Sequence, residues 1–116
     1  PSRHPALIVR SDRPANAETP GHILAANLIT PTDLFYVRNH LPVPQLDPST
    51  YRLVIEGEGL RRMELSLDQL KSDFKKHTLT ATVQCTGNRR NEMSAVRPVK
   101  GLEWDAGAIG TAEWSG

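Results

Sequence analysis

Cys85, the only cysteine of the chain, closes a segment that has the pattern of a β-strand. Residues 78–85 alternate between polar and apolar side chains, and a period of two in a run with β-branched residues predicts a strand. Residues 86–88 (Thr-Gly-Asn) predict a turn, after which Arg89 and Arg90 place two positive charges close to the sulfur. Neighbouring cations favour the thiolate, which is the nucleophilic and metal-binding form of cysteine. The segment is therefore a candidate chemical site.

Three roles for Cys85 fit this pattern. Free cysteine often packs as a small apolar residue, and the apolar side chains on the same face of the strand favour that structural role. As a nucleophile, Cys85 would need a histidine base, and His40 and His77 are the candidates. As a metal ligand, it would supply one soft thiolate. Because the sequence has no CxxC or HExxH motif, the other ligands of such a metal would have to come from an organic cofactor.

A second group of polar side chains, Arg38, Asn39 and His40, follows a short apolar segment at 34–37 that predicts a strand. Two prolines within the next four residues hold the following chain extended. Arginine presents a planar set of donors to an oxyanion, so this group predicts an anion site. The alternative is a solvent-facing loop. The two arginines after Cys85 have a similar alternative, in which one lies at the surface and the other is a buried ion-pair partner.

Composition excludes several classes of function. The chain has 116 residues, with 14 Lys and Arg against 13 Asp and Glu, and a formal net charge of +1. This balance argues against a general nucleic-acid binder or a polybasic membrane binder. We expect no membrane span, because no apolar run approaches the ~20 residues that a bilayer requires. A single cysteine excludes an internal disulfide and a zinc site built from several cysteines.

The two ends of the sequence suggest a piece of a longer protein. The chain begins at Pro1 without a signal peptide, so we expect any targeting segment to lie outside it. Trp104, Ile109 and Trp114 lie close to the other end, and a large indole seldom stays fully exposed. We therefore expect further sequence after Gly116 that covers these side chains.

The first part of the chain predicts an arm and a helix. Residues 1–18 are rich in Pro, Arg, Ser and Asn, which predicts a lead-in arm lying across a larger body or, alternatively, a partly disordered terminus. Thr19 is the expected cap of a short helix that has Pro20 in its first turn. Pro31 is expected to end that helix, because proline disfavours helical geometry in the residue before it.

The middle of the chain predicts a hairpin followed by a helix. Residues 51–56 and 63–67 alternate in hydrophobicity on either side of a glycine-containing turn. Ser66 and Gln69 have the spacing of a capping box, which predicts a short helix ending near residues 75–76, two lysines that suit a helix C-terminus.

The last part predicts a loop with one helical turn at 91–100 and a further strand beginning at 100–104. The GxG at Gly57 and Gly59 lacks the third glycine of a dinucleotide-binding fingerprint. Trp104 and Trp114 are expected in the core and not in a cofactor-binding site. Short strands separated by small helices indicate a mixed α+β fold.

Three ordered segments, 35–44, 83–93 and 99–104, resemble the molybdenum domain of the sulfite oxidase family. The flanking segments 3–7 and 46–53 are similar to that family as well, so the resemblance covers nearly the whole chain. It implies a mixed, mainly β molybdopterin-binding fold. It also implies that residues 1–116 are the N-terminal portion of that domain and that the fold is incomplete in this chain.

The resemblance implies roles for the two polar groups. The cysteine of the C-x-G-N-R-R segment, here Cys85, binds molybdenum through its thiolate, while the pterin dithiolene supplies two further sulfurs. The cofactor-binding loop of the family corresponds to Tyr36, Val37, Arg38, Asn39 and His40. Its arginine, Arg38, also faces the oxyanion pocket, so Arg38 and Cys85 are the expected catalytic residues.

The activity that the resemblance implies is oxidation of sulfite to sulfate with a molybdenum–molybdopterin cofactor. Electrons would leave through a haem on a separate domain or partner, usually to cytochrome c. The family also implies a homodimer in the mitochondrial intermembrane space, with the peroxisome as the alternative compartment. The family's domain is longer than this chain, so we expect the 116-residue piece alone to be inactive.

Two other functions remain as alternatives. Assimilatory nitrate reductase shares the cofactor, the cysteine and the R-N-H segment. Residues 41–44 (Leu-Pro-Val-Pro) are more similar to the animal-type sulfite oxidases, because nitrate reductases and plant-type sulfite oxidases tend to have glycine where Leu41 stands. The other alternative is a non-catalytic domain in which Cys85 is buried in a complete core with no cavity beside it.

Overall fold

The computed structural model describes residues 3–116, so Pro1 and Ser2 of the predicted arm lie outside the described part. Within it, short strands and helices alternate in no regular order, which confirms the predicted mixed, mainly β fold. The strands pair into three sheets of two strands each: β1 with β2, β3 with β4, and β5 with β6. The elements in chain order are β1 (Ile8–Ser11), β2 (Asn16–Glu18), α1 (Gly21–Ala26), β3 (Leu53–Ile55), β4 (Met63–Leu65), α2 (Leu67–Ser72), β5 (Thr78–Gln84), α3 (Arg90–Ser94) and β6 (Ile109–Ser115).

The chain divides into two compact units. The first unit consists of Pro1–Val43 and Thr80–Trp114, and the second of Pro44–Leu79 with Ser115–Gly116. No helix among residues 3–116 has the length and apolar character needed to cross a membrane.

The predicted lead-in arm is an ordered hairpin within the first unit. Strands β1 and β2 pair antiparallel, with Ile8 opposite Glu18 and Val9 opposite Ala17. All three residues of β2 are buried. The alternative of a disordered terminus is therefore wrong for residues 8–18, because they pair in a hairpin and their polar side chains have hydrogen-bond partners far along the chain.

Helix α1 forms, but its predicted ends are wrong. It begins at Gly21 after Pro20, which makes no side-chain capping bond. Thr19 is buried, and its hydroxyl donates to the Leu34 carbonyl at 2.6 Å instead of capping the helix. The helix ends at Ala26, well before Pro31.

Two predicted strands do not form. In the segment 34–37, only Val37 pairs, through an isolated antiparallel bridge to Ala17. The segment at 100–104 is irregular, and the strand that follows is β6 at Ile109–Ser115. Trp104 in this irregular stretch is 1% exposed, which confirms it as a core residue.

Strand β5 confirms the strand predicted before Cys85. The Cys85 amide donates to the Ala108 carbonyl at 2.9 Å, next to the start of β6. The side chains expected to pack on one face of β5 are open: Leu79 is 58% and Val83 44% exposed. The prediction of Trp114 as a core residue is wrong: on β6 it is 42% exposed, and its indole nitrogen donates to the Ala81 carbonyl at 2.9 Å.

The second unit contains the predicted hairpin and capped helix. Leu53 pairs with Leu65 and Ile55 with Met63 across β3 and β4. Ser66 caps α2 with both hydrogen bonds of the capping box. The helix ends at Ser72, earlier than the predicted end at 75–76.

Candidate functional site

A cavity of about 470 Å³ in the first unit is lined by both polar groups that the sequence singles out. Arg38, Asn39 and His40 form one part of its wall, and Cys85 with Thr86 and Gly87 forms another. The fold thus brings together two segments that are far apart in sequence. A cysteine buried in a closed core, as the non-catalytic alternative predicts, is not what the structure has: Cys85 is partly exposed and faces this cavity.

The turn after β5 presents the Cys85 sulfur. The Asn88 amide donates to the Cys85 carbonyl at 3.0 Å and closes the turn, while the Gly87 amide points at the sulfur with a nitrogen–sulfur distance of 3.4 Å. A backbone N–H directed at sulfur is a donor that suits a negatively charged ligand atom.

The segment 104–108 clamps this turn from one side. The Arg89 amide donates to the Asp105 carbonyl at 2.7 Å, and the Asn91 amide donates to the Trp104 carbonyl at 3.0 Å. In the opposite direction, the Ala108 amide donates to the side-chain oxygen of Asn88 at 2.9 Å. These bonds hold the backbone around Cys85 at several successive points.

The same segment is held from the other side by Glu18, a carboxylate that is 1% exposed. One carboxylate oxygen accepts from the Gly107 amide at 3.3 Å and the other from the Asp105 amide at 3.4 Å. Arg10 forms ion pairs with both Glu18 and Asp105. Hydrogen bonds from Asn91 and Arg10 lower the pKa of Asp105. A buried carboxylate with a charged partner and amide donors is a satisfied structural group.

Residues 38–40 are attached to the β1–β2 hairpin. The Asn39 amide donates to Asn16 Oδ1 at 2.8 Å, and the Asn39 side chain donates to the Ala15 carbonyl at 2.8 Å. The Arg38 guanidinium lies 3.2 Å from His40 Nδ1 and also donates to the Asn39 carbonyl. The arginine and histidine of the predicted anion site are therefore in direct contact.

The two arginines after Cys85 take different directions. Arg89 immediately precedes α3 and lies in the left-handed region with φ 66°, and its guanidinium forms an exposed ion pair with Glu92 at 2.7 Å. The prediction that both arginines lie beside the sulfur is wrong, because only Arg90 is part of the cavity wall. Arg90 donates to the Leu102 carbonyl at 2.9 Å, so its partner is a carbonyl and not a carboxylate.

The other predicted cofactor-loop residues, Tyr36 and Val37, are not part of this cavity wall. Tyr36 stacks on Phe35 with 5.3 Å between ring centroids. Burial, and secondarily the electrostatic influence of Cys85, raises the pKa of the Tyr36 phenol. Val37 lines a second cavity, which shares Ser11, Asn16 and Asn39 with the first.

Of the two candidate histidine bases, His40 lies in the cavity that Cys85 lines. His77 belongs to the second unit, where its backbone exchanges two hydrogen bonds with Gly116.

Sequence reasoning missed the hairpin's share of the site. Ser11, Arg13, Pro14 and Asn16 from the hairpin line the cavity, and so does Trp104. A Ser-Asp-Arg-Pro-Ala-Asn stretch reads only as a turn, so nothing local in the sequence could have identified these positions.

The cavity wall is cationic. It carries three arginines, Arg13, Arg38 and Arg90, and none of its lining residues in the described part of the chain is Asp or Glu. Among residues 3–116, no three His, Cys, Asp or Glu side chains are grouped to hold a metal ion. The arrangement suits an anionic ligand that meets one sulfur and several guanidinium groups.

The family match and the similar proteins agree with each other. A family described as "oxidoreductase molybdopterin binding domain" matches residues 40–116. The chain is 60% identical to sulfite oxidase of Gallus gallus over 116 residues, which is 100% of this chain and 25% of the relative. It is 56% identical to mitochondrial sulfite oxidase of Homo sapiens over 117 residues, or 100% of this chain and 21% of the relative. Nitrate reductase [NAD(P)H] of Hordeum vulgare is 38% identical over 116 residues, which is 98% of this chain and 13% of that protein.

The chain thus spans a quarter or less of the length of these relatives. The family match covers well over half of the chain and includes both His40 and Cys85 of the cavity wall. The chain belongs to the oxidoreductase molybdopterin-binding domain family.

Proposed function

We propose that residues 1–116 are the N-terminal portion of the molybdenum domain of a sulfite oxidase, which oxidises sulfite to sulfate with a molybdenum–molybdopterin cofactor. The observation that carries the proposal is the cationic cavity in which Cys85, Arg38 and Arg90 face a common space. The sulfite oxidases of Gallus gallus and Homo sapiens support it through their identity along the whole chain.

The residues present fit this cofactor. A single soft thiolate suits molybdenum whose other sulfur ligands come from the pterin. The cavity volume of about 470 Å³ lies within the ~300–1,000 Å³ of ligand pockets in general. The three arginines of the wall match a cofactor and a substrate that both carry negative charge.

The bound cofactor would supply the metal that accepts two electrons from sulfite. The protein's part is binding and orientation. Cys85 holds the metal, with its sulfur facing the Gly87 amide. Arg38 and Arg90 bind the sulfite dianion, and His40 Nδ1 restrains the Arg38 guanidinium. In the overall reaction, sulfite and water give sulfate, two protons and two electrons.

We propose roles for the remaining loop residues as well. Asn39 and His40 contribute to cofactor binding from the cavity wall. Tyr36 and Val37 precede them on the same segment. The Val37 backbone is paired with Ala17, so the proposed contacts of Tyr36 and Val37 with the cofactor lie outside this cavity.

The electron acceptor is a haem on a separate domain or partner and then cytochrome c. The intact protein is a homodimer in the mitochondrial intermembrane space, with the peroxisome as the alternative. Relatives from Homo sapiens and Drosophila melanogaster that carry the name mitochondrial sulfite oxidase support the mitochondrial part of this proposal.

The test is Cys85→Ser in the full-length protein. Serine offers molybdenum no soft sulfur, so we expect sulfite-dependent reduction of cytochrome c to fall at least about 100-fold, a loss within the range of removing a group that acts in the transition state. Molybdenum content and turnover are measured on the same preparation. Thr82→Ser, an exposed change on β5, is the matched control and should keep both. Full activity in the Cys85→Ser variant, or a wild-type protein without molybdenum, would contradict the proposal.

Nitrate reduction is the second candidate, favoured by the 38% identity to the barley enzyme. Assaying sulfite oxidation and nitrate reduction side by side on one preparation separates the two. Turnover of nitrate and not of sulfite would select nitrate reductase.

A further inference from the structure

Asn16 is a buried polar side chain with no role in the proposed chemistry. It opens β2, is 2% exposed and also belongs to the cavity wall. A polar side chain buried to this extent is costly unless its donors and acceptor are satisfied, so its hydrogen bonds indicate its role.

The side-chain amide of Asn16 connects the β1–β2 hairpin with the segment 38–40. Its oxygen accepts from the Asn39 amide at 2.8 Å. Its nitrogen donates to the Ser11 hydroxyl and to the Pro14 carbonyl, each at 2.9 Å. With both donor hydrogens used inside the hairpin, the oxygen is directed at the backbone of residue 39.

Arg38 lies between two such backbone anchors. On one side, Val37 and Ala17 exchange hydrogen bonds of 2.8 and 3.0 Å. On the other side, the Asn39 amide is held by Asn16. Successive residues of β2 therefore hold the residues immediately before and after Arg38. Fixing both neighbours restricts the backbone from which the guanidinium extends.

We propose that Asn16 is a positioning residue for Arg38 and, through it, sets the affinity of the cavity for its oxyanion. This inference rests on the proposed function, because the anion concerned is sulfite or its product sulfate. Without the acceptor of Asn16, the Asn39 amide loses its partner in a partly buried place, and the segment 38–40 moves away from its binding geometry.

The experiment compares Asn16→Ala with Asn27→Ala in the full-length protein. Asn27 makes one exposed hydrogen bond, to the Ile23 carbonyl, and provides the same chemical change outside the cavity. Three quantities are measured: hydrogen exchange of a peptide covering residues 37–40, the dissociation constant of sulfate by calorimetry, and KM and kcat for sulfite.

For Asn16→Ala we expect about tenfold faster exchange at 37–40, about tenfold weaker sulfate binding and a similar rise in KM, with kcat within about twofold of wild type. Asn27→Ala should leave all of these unchanged. A lower melting temperature with unchanged exchange, sulfate binding and KM would show a purely structural residue and overturn the proposal.

Asn16→Asp separates the acceptor from the donors. It keeps an oxygen for the Asn39 amide and loses the bond to the Pro14 carbonyl, while the Ser11 hydroxyl can donate to the new carboxylate. We expect exchange at 37–40 to stay slow in this variant, and fast exchange would overturn the acceptor role even if Asn16→Ala fails to fold. A wild-type protein that binds sulfate but does not oxidise sulfite would refute the proposed function alone, because the exchange and sulfate measurements would still test Asn16.

Discussion

Arg89 and Arg90 are adjacent in sequence, but their side chains have different partners. The guanidinium of Arg89, a residue with left-handed backbone, pairs with Glu92 at the surface, and such an exposed ion pair adds little to stability. Arg90 follows one residue later on α3 and reaches the cavity. Room for it exists because Gly87 and Gly101 have no Cβ where its guanidinium lies.

Gly87→Ala should therefore impair anion binding more than stability. The new methyl group would lie 2.8 Å from Arg90 Nη2 and 3.1 Å from Trp104 Cδ1. Because Arg90 is flexible at its end, we expect it to swing aside, raising the KM for sulfite several-fold while the melting temperature changes little. Gly21→Ala, which meets nothing within 4 Å, is the control. An unchanged KM in Gly87→Ala would show that Arg90 does not contact the anion.

At the scale of elements, the irregular segment 104–108 connects the β1–β2 hairpin to the turn that carries Cys85. Its amides and carbonyls face Glu18 and Thr19 on one side and Asn88 to Asn91 on the other. In the segment 100–104, the Leu102 carbonyl accepts from the Arg90 side chain and from the Trp104 amide, and the Trp104 carbonyl accepts from the Asn91 amide. These partners do not form a neighbouring strand, so the strand predicted there is absent.

Gly107→Ala tests this connection. A Cβ at this position would clash with the Thr19 carbonyl, which is backbone and cannot rotate away. We expect a loss of about 1–3 kcal/mol in the free energy of unfolding, seen as a lower urea midpoint, together with a lower molybdenum content because the turn at Cys85 is displaced. If the midpoint matches that of Gly21→Ala, the close packing at Gly107 is not needed for stability.

The three arginines of the cavity wall are distinct from the ion pairs that Arg10 forms with Glu18 and Asp105. Asp105 belongs to those ion pairs, and hydrogen bonds from Asn91 and Arg10 lower its pKa in the folded state. A lowered carboxyl pKa means that the folded state favours the ionised form. Its contribution to stability is present above the unfolded pKa of about 3.9 and is lost as the pH falls through the lower folded value.

Asp105→Asn should accordingly lower the melting temperature at neutral pH, and the difference from wild type should shrink as the pH is lowered through that range. Thermal unfolding of the full-length protein at a series of pH values measures this. Asp33→Asn, which changes an exposed side chain, is the control. A difference that is independent of pH would mean that Asp105 acts through shape and not through charge.

Features that depend on short-range spacing and on ordered motifs can be predicted from the sequence alone. Alternation predicted β5 and the β3–β4 hairpin, the three-residue spacing of Ser66 and Gln69 predicted the capping box, and the motifs around Arg38 and Cys85 indicated the family. The strand period and the helix cap are each visible within about ten residues, because they are local properties, whereas the family is indicated by the order of several short motifs.

The assembly of the cavity depends on contacts between residues that are far apart in sequence. The Asn39 amide meets Asn16, 23 residues away, and Glu18 meets Gly107, 89 residues away. A buried polar group bonds to the partner that the fold brings within hydrogen-bond distance, and no local sequence pattern predicts that partner. For this reason the hairpin's part of the wall, the clamp at 104–108 and the choice of Arg90 over Arg89 all depended on the folded chain.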